Sequence, residues 1–170
     1  TILRDFTIED TGSYVNGGLP LSLGGATITT GTLSDLNTDT PENLGAVSFV
    51  AGVGATVKTL GSDIEAVSVS IGAGVTLDAA AYDVTSSGNL DGAGALAASG
   101  TQTFAVGGNF TPGAFAAGGS LVLLDGATAS VTAGGLAYND LEIAKALGSD
   151  TVNLVSGTRS PMWATGNPMG

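Results

Sequence analysis

Apolar and polar residues alternate in short bursts along this chain. Val67, Val69 and Ile71 are separated by serines, Val75 and Leu77 flank Thr76, and Phe104 with Val106, Leu121 with Leu123, and Val152 with Leu154 repeat the arrangement. Alternate residues of an extended strand point to one side, so each burst predicts a short strand with these side chains turned inward. Helical spacing is largely absent. The segment from Asp140 to Gly148 has a helix-like composition, yet it also fits a strand with Leu141 and Ile143 inward; a short helix is the alternative there.

The bursts recur. GATVKT begins at Gly54, GVTLDA at Gly74, GALAAS at Gly94 and GAFAAG at Gly113, a period of about twenty residues, and Gly88-Asn89-Leu90 returns as Gly108-Asn109-Phe110. Glycine and asparagine are the residues that tolerate the backbone of a tight corner. A unit of this size cannot bury its own apolar face, but parallel units stacked about 4.8 Å apart share a continuous core. The predicted fold is all-β, a single parallel β-solenoid or β-helix, right-handed by the general rule for parallel crossovers. An antiparallel β-sandwich is the alternative, disfavoured because hairpins have no need to repeat their corners. Val57, Leu77, Leu96 and Phe115, with Val69, Leu90 and Phe110, form the predicted inner column.

Three regions follow from this reading: an irregular N-terminal coil or cap over 1–45, solenoid repeats over 46–157, and a non-repetitive tail or docking arm over 158–170 that holds Trp163. Asn37 to Asn43 reads as a protruding loop. TILRDFTIED has neither an initiator Met nor a signal-peptide pattern, so a mature form or an excised piece is expected.

Composition sharpens the picture. Hydrophobic residues make up 43% of the 170, but aromatics only 5%, and glycine occurs 28 times, so the interior is expected to be thin and filled by small and β-branched side chains. A mean hydropathy of +0.37 argues against disorder. Lys and Arg number 4 against 15 acidic residues, for a net charge of -11. Such a surface is a poor partner for nucleic acid and for anionic membranes, which need clustered cations. The longest apolar stretch, GAFAAGGSLVLL, is too short and glycine-rich to span a bilayer as a helix.

Three passages carry a family resemblance: GNLDGAGALAASGTQTFAVGGNFTPG from Gly88, GGSLVLLDGATASVTAGG from Gly118, and LAYNDLEIAKALGSDTVNLVSGT from Leu136. Over roughly residues 54 to 157 the chain resembles secreted bacterial repeat proteins of the filamentous-haemagglutinin-like and autotransporter-adhesin kind. Tyr138, Asn139, Leu141 and Ile143 stand at the places of their aromatic-Asn-x-Leu-x-Ile strand. The resemblance implies a parallel β-helix, secretion and work at the cell surface.

Candidate chemistry is sparse. With no His and no Cys, the usual nucleophile–base pairs and soft-metal sites have no ligands. Asp78, Asp83 and Asp91 are the carboxylates for a glycoside-cleaving pair, provided that neighbouring coils bring them together beside a cleft. Calcium, a hard cation, takes carboxylate and carbonyl oxygens, and its candidates are Asp78, Asp91 and Asp125. Asp-Gly at a corner is more often turn chemistry. Threonines in ATITTGT from Ala26, in TQT from Thr101, and at Thr56 and Thr76 suggest an ice-binding ladder, which breaks at Leu96. No cofactor is expected. The expected role is an extracellular, non-enzymatic structural element: a solenoid subunit or segment of a filament, stalk or surface layer that associates with its own kind. An adhesin segment binding a glycan or protein on its lateral face is second, and a polysaccharide-active enzyme third.

Overall fold

The computed structural model describes residues 4–10, 12–15, 17–24, 30–37, 42–126, 130–133, 136–144 and 151–154. All regular elements among them are strands. In chain order they are β1 (Phe6–Ile8), β2 (Leu21–Leu23), β3 (Thr32–Asp35), β4 (Ala46–Phe49), β5 (Thr56–Leu60), β6 (Ile64–Ala66), β7 (Ser68–Ile71) and β8 (Val75–Asp78). They continue as β9 (Val84–Ser86), β10 (Leu90–Ala97), β11 (Thr103–Val106), β12 (Phe110–Ala116), β13 (Leu121–Leu124), β14 (Ser130–Ala133), β15 (Asp140–Ile143) and β16 (Thr151–Leu154).

Every strand pairing is parallel. Each coil offers three strand positions, and successive coils stack like on like. Face A is the five-stranded sheet β6, β9, β11, β13, β15. The eleven-stranded sheet bends into two further faces. Face B holds β2, β4, β7, the first parts of β10 and β12, β14 and β16; face C holds β1, β3, β5, β8 and the last parts of β10 and β12. The fold is a parallel β-solenoid.

The 1–45 segment contributes β1 to β3 to the same ladders, with wider spacing. Partners lie 26 to 27 residues apart in its pairs, such as Phe6 with Leu33 and Leu21 with Val47. From β4 onward they lie 18 to 23 apart, from Phe104 with Val122 to Phe110 with Ala133. The 158–170 tail, with Trp163, lies outside the described residues, as do residues 38–41 of the predicted loop.

The repeated glycines sit at the corner between faces B and C. This corner tightens along the stack: residues 50–55 join β4 to β5 and 72–74 join β7 to β8, whereas β10 and β12 run straight through with a register shift between Gly92 and Ala95. At Gly94 a side chain would collide with the carbonyl oxygens of Gly72 and Val75. Backbone here packs on backbone, which only glycine permits.

Val69, Leu77, Leu90, Leu96 and Phe110 are fully buried, as the periodicity predicts. Val57 is not: it is 43% exposed. The step from β5 to β8 is nineteen residues, so Leu77 pairs with Lys58 and Val57 pairs with Thr76 on the outside. A slip of one residue transfers a whole strand's side chains to the opposite face. Leu121 and Leu123 are corrected for the same reason, since Val122 and Leu124 are the buried pair of β13. Phe115 is only partly buried, and Val67, at a corner, is 49% exposed. Asp140–Ile143 is a strand rather than the start of a helix. Leu141 and Ile143 occupy core-facing rows, opposite Val122 and Leu124, but β15 is the last strand of face A and leaves Ile143 45% exposed.

The register places Lys58 in the interior, beneath Leu77 and Leu96. Its stem extends the apolar column, and its ammonium donates to the Thr30 carbonyl at 2.9 Å. Gly31, with no side chain, leaves room for that ammonium. Burial lowers the Lys58 pKa from its ordinary value, and the Asp5 charge partly offsets this. Among the described residues no buried side-chain polar atom lacks a partner.

The register generates a paired prediction. Leu96→Asp buries a carboxylate with no counter-charge and should cost more than about 4 kcal/mol, abolishing the cooperative melt. Val57→Asp, on the outer row, should cost below about 1 kcal/mol. Circular-dichroism melts of the two variants check this; similar losses in both would overturn the register.

Candidate functional site

Because the interior is packed and largely apolar, recognition surfaces lie on the outward rows of the strands and at the ends of the stack. On face B, Ser22, Ser48, Ser70, Asp91 and Thr111 stand opposite one another in successive coils. All five are half-buried and alternate with the core-facing residues Leu21, Val47, Val69, Leu90 and Phe110. Among the described residues the hydroxyls of Ser22, Ser48, Ser70 and Thr111 take no hydrogen-bond partner. The row runs along the stack at the strand spacing of about 4.8 Å. Asn89 and Asn109 flank it at the corner, and the Asn89 side-chain amide donates to the Asp91 carboxylate at 3.3 Å.

The other faces differ. On face C the outward rows are Val57, Thr76, Ala95, Ala114 and Thr59, Asp78, Ala97, Ala116, smooth and poor in polar groups. On face A the middle row reads Glu65, Thr85, Ala105, Leu123, Glu142, with no run of like chemistry.

Corner side chains do a separate job. The Asp5 carboxylate accepts from the Thr32 amide at 2.9 Å, Asp63 from Asp83 at 2.8 Å, Asp83 from Thr103 at 2.7 Å, and the Asn89 side-chain oxygen from the Asn109 amide at 2.9 Å. Each bond joins one coil to the next and satisfies an amide at a strand's start. Gln102, buried at a corner, accepts from the Gly100 amide at 2.9 Å and donates to the Ala80 carbonyl at 2.6 Å.

The predicted site residues are distributed among these roles. Asp78, on face C, accepts from the Ala80 amide at 2.8 Å, and Ala80 has a positive φ of 50°, so this carboxylate holds a turn. Asp83 belongs to the corner ladder and Asp91 to the face B row. Asp125 lies exposed after β13 on face A. The structure therefore brings neither the proposed carboxylate pair nor the three calcium candidates together. Among the described residues no three of His, Cys, Asp and Glu are grouped to hold a metal ion. Thr56 faces inward, buried, while Thr76 faces outward, so these two form no common row; residues 26–29 of ATITTGT lie outside the described residues.

Two charged residues of structural weight were missed in the sequence. One is Lys58. The other is Asp35, 6% exposed, whose carboxylate accepts from the Asn37 amide at 3.1 Å and the Glu42 amide at 2.5 Å, tying the end of β3 to a residue shortly before β4. A charged residue inside an alternating burst is the available signal for the first; the second has none, because Asn37 and Glu42 lie outside the repeating pattern.

In the later coils aromatic rings gather in one cluster. Phe110 meets Phe115 edge-on at 5.1 Å, Phe104 meets Phe115 at 5.7 Å, and Tyr138 lies 5.8 Å from Phe110 and 6.0 Å from Phe115. Burial raises the Tyr138 pKa far above the ordinary phenol value.

Two outcomes are expected. Asp83→Ala removes the acceptor of the Thr103 amide and should lower stability by about 0.5–1 kcal/mol, with Asp83→Asn retaining most of it, in urea titrations. For Tyr138 the folded pKa exceeds the unfolded one, so above pH ~10 the unfolded chain loses its proton first. The stability it contributes is complete below that pH and declines above it. Tyr138→Phe should flatten the stability profile between pH 9 and 12 relative to the parent protein; identical alkaline slopes in both would refute the assignment. Lys58 acts oppositely as pH approaches its ordinary pKa, but it cancels in the difference.

No family model, curated protein or solved structure matches the chain.

Proposed function

We propose that this chain is an extracellular, non-enzymatic structural element: a β-solenoid segment of a cell-surface filament, stalk or layer that associates with its own kind through its ends. One observation carries the reading. At β15 the core rows of face A reach the end of the described stack with Ile143 45% exposed. Among the described residues no strand pairs with the outer edge of β15, β1 or β2. An open parallel edge presents unpaired N–H and C=O groups, and with them the template for another strand.

Other features agree with this role. The coils bind one another through continuous backbone ladders and corner bonds, suited to resisting tension along the axis. Few charges and small side chains allow close packing, while the net charge of -11 opposes uncontrolled association. The passages around Gly88, Gly118 and Leu136 are similar to those of secreted bacterial surface proteins, which supports the location. The face B hydroxyl row favours a second reading, binding on a lateral face.

Electron microscopy over a concentration series, with and without calcium, tests the proposal. Fibres with an axial repeat close to the length of one solenoid are expected, and Ile143→Lys should shorten or abolish them. Isolated short rods at every concentration would sink end-to-end association.

A further inference from the structure

We infer that face B is a binding surface for an extended, uncharged, β-linked polysaccharide lying along the solenoid axis. The carrying observation is the row Ser22, Ser48, Ser70, Asp91, Thr111. Four of its five members are hydroxyls that take no partner among the described residues. The five span roughly 19 Å in steps of about 4.8 Å. An extended β-linked pyranose chain advances by nearly the same distance per sugar and turns alternate sugars over, so each coil meets one sugar and every second coil meets the same sugar face.

Chemistry selects the occupant. A hydroxyl both donates and accepts, which matches a sugar hydroxyl in either orientation. Anionic polymers are opposed by Asp91 within the row and by the net charge of -11. A protein partner ordinarily engages buried aromatic, Arg or large apolar anchors, and this row has none. Asp91, held by the Asn89 amide at 3.3 Å, is an oriented acceptor for a pair of sugar hydroxyls. Each contact is weak, so affinity arises from repetition along the polymer.

The test is retention of the purified chain on microcrystalline cellulose and on chitin beads, independent of whether the chain forms fibres. The parent protein is expected to bind at least one of these polymers. Ser48→Val/Ser70→Val suits the strand and should weaken binding; each lost direct hydrogen bond accounts for about fivefold, and the pair for about twenty-five-fold. Thr76→Val, on face C, should leave retention unchanged. Should the double variant fold poorly, Ser70→Ala alone should give the single fivefold loss. The inference is overturned if neither polymer retains the parent protein, if the folded double variant binds as well as the parent, or if Thr76→Val weakens binding equally.

Discussion

Each coil of this protein satisfies its backbone hydrogen bonds on the coil before it and the coil after it, and no coil can change register without its neighbours. That parallel ladder, with strands about 4.8 Å apart, is the constraint on which the rest depends. It forces like positions of the sequence into columns. A residue therefore sits where its coil's corners place it, and a corner longer or shorter by one residue exchanges the inner and outer faces of the strand that follows.

The corners consequently carry much of the specification. Gly94 permits backbone to lie on backbone where β10 runs through. Asp63, Asp83 and Asn89 each lend an oxygen to an amide of the next coil, so the acidic corners of this chain bind coil to coil. Within the core the column shared by Lys58, Leu77, Leu96 and Phe115 shows how far one position can vary. Its leucines fill a narrow interior. The lysine stem does likewise until the ammonium reaches a carbonyl, and the ring of Phe115 joins three other aromatics.

A packed interior leaves the ends and the outer rows as the surfaces available for recognition. We connect the ends with assembly, because the outermost described strand of face A presents an edge equivalent to the ones already used within the stack. The outer rows differ from face to face, from the serine and threonine row of face B to the alanine-rich face C. The lateral binding proposed for face B and the axial assembly proposed for the ends use different surfaces, and a single filament accommodates both.

The sequence by itself determined the fold class, the corner positions and much of the core. Short alternating bursts, repeated glycines and a period near twenty residues are local signals, and Val69, Leu77, Leu90, Leu96 and Phe110 follow from them. The interior place of Lys58, the outward turn of Val57, the buried pair Val122 and Leu124, and the face B row were decided only in three dimensions. The coil step ranges from 18 to 27 residues, so alignment at a constant twenty misplaces strands by one residue, which is enough to reverse a face. Asp78, Asp83, Asp91 and Asp125 read alike as acidic turn residues in the sequence. Their separation into a turn, a corner ladder, an outer row and an exposed loop depends on which coil lies against which, and that is fixed by tertiary pairing.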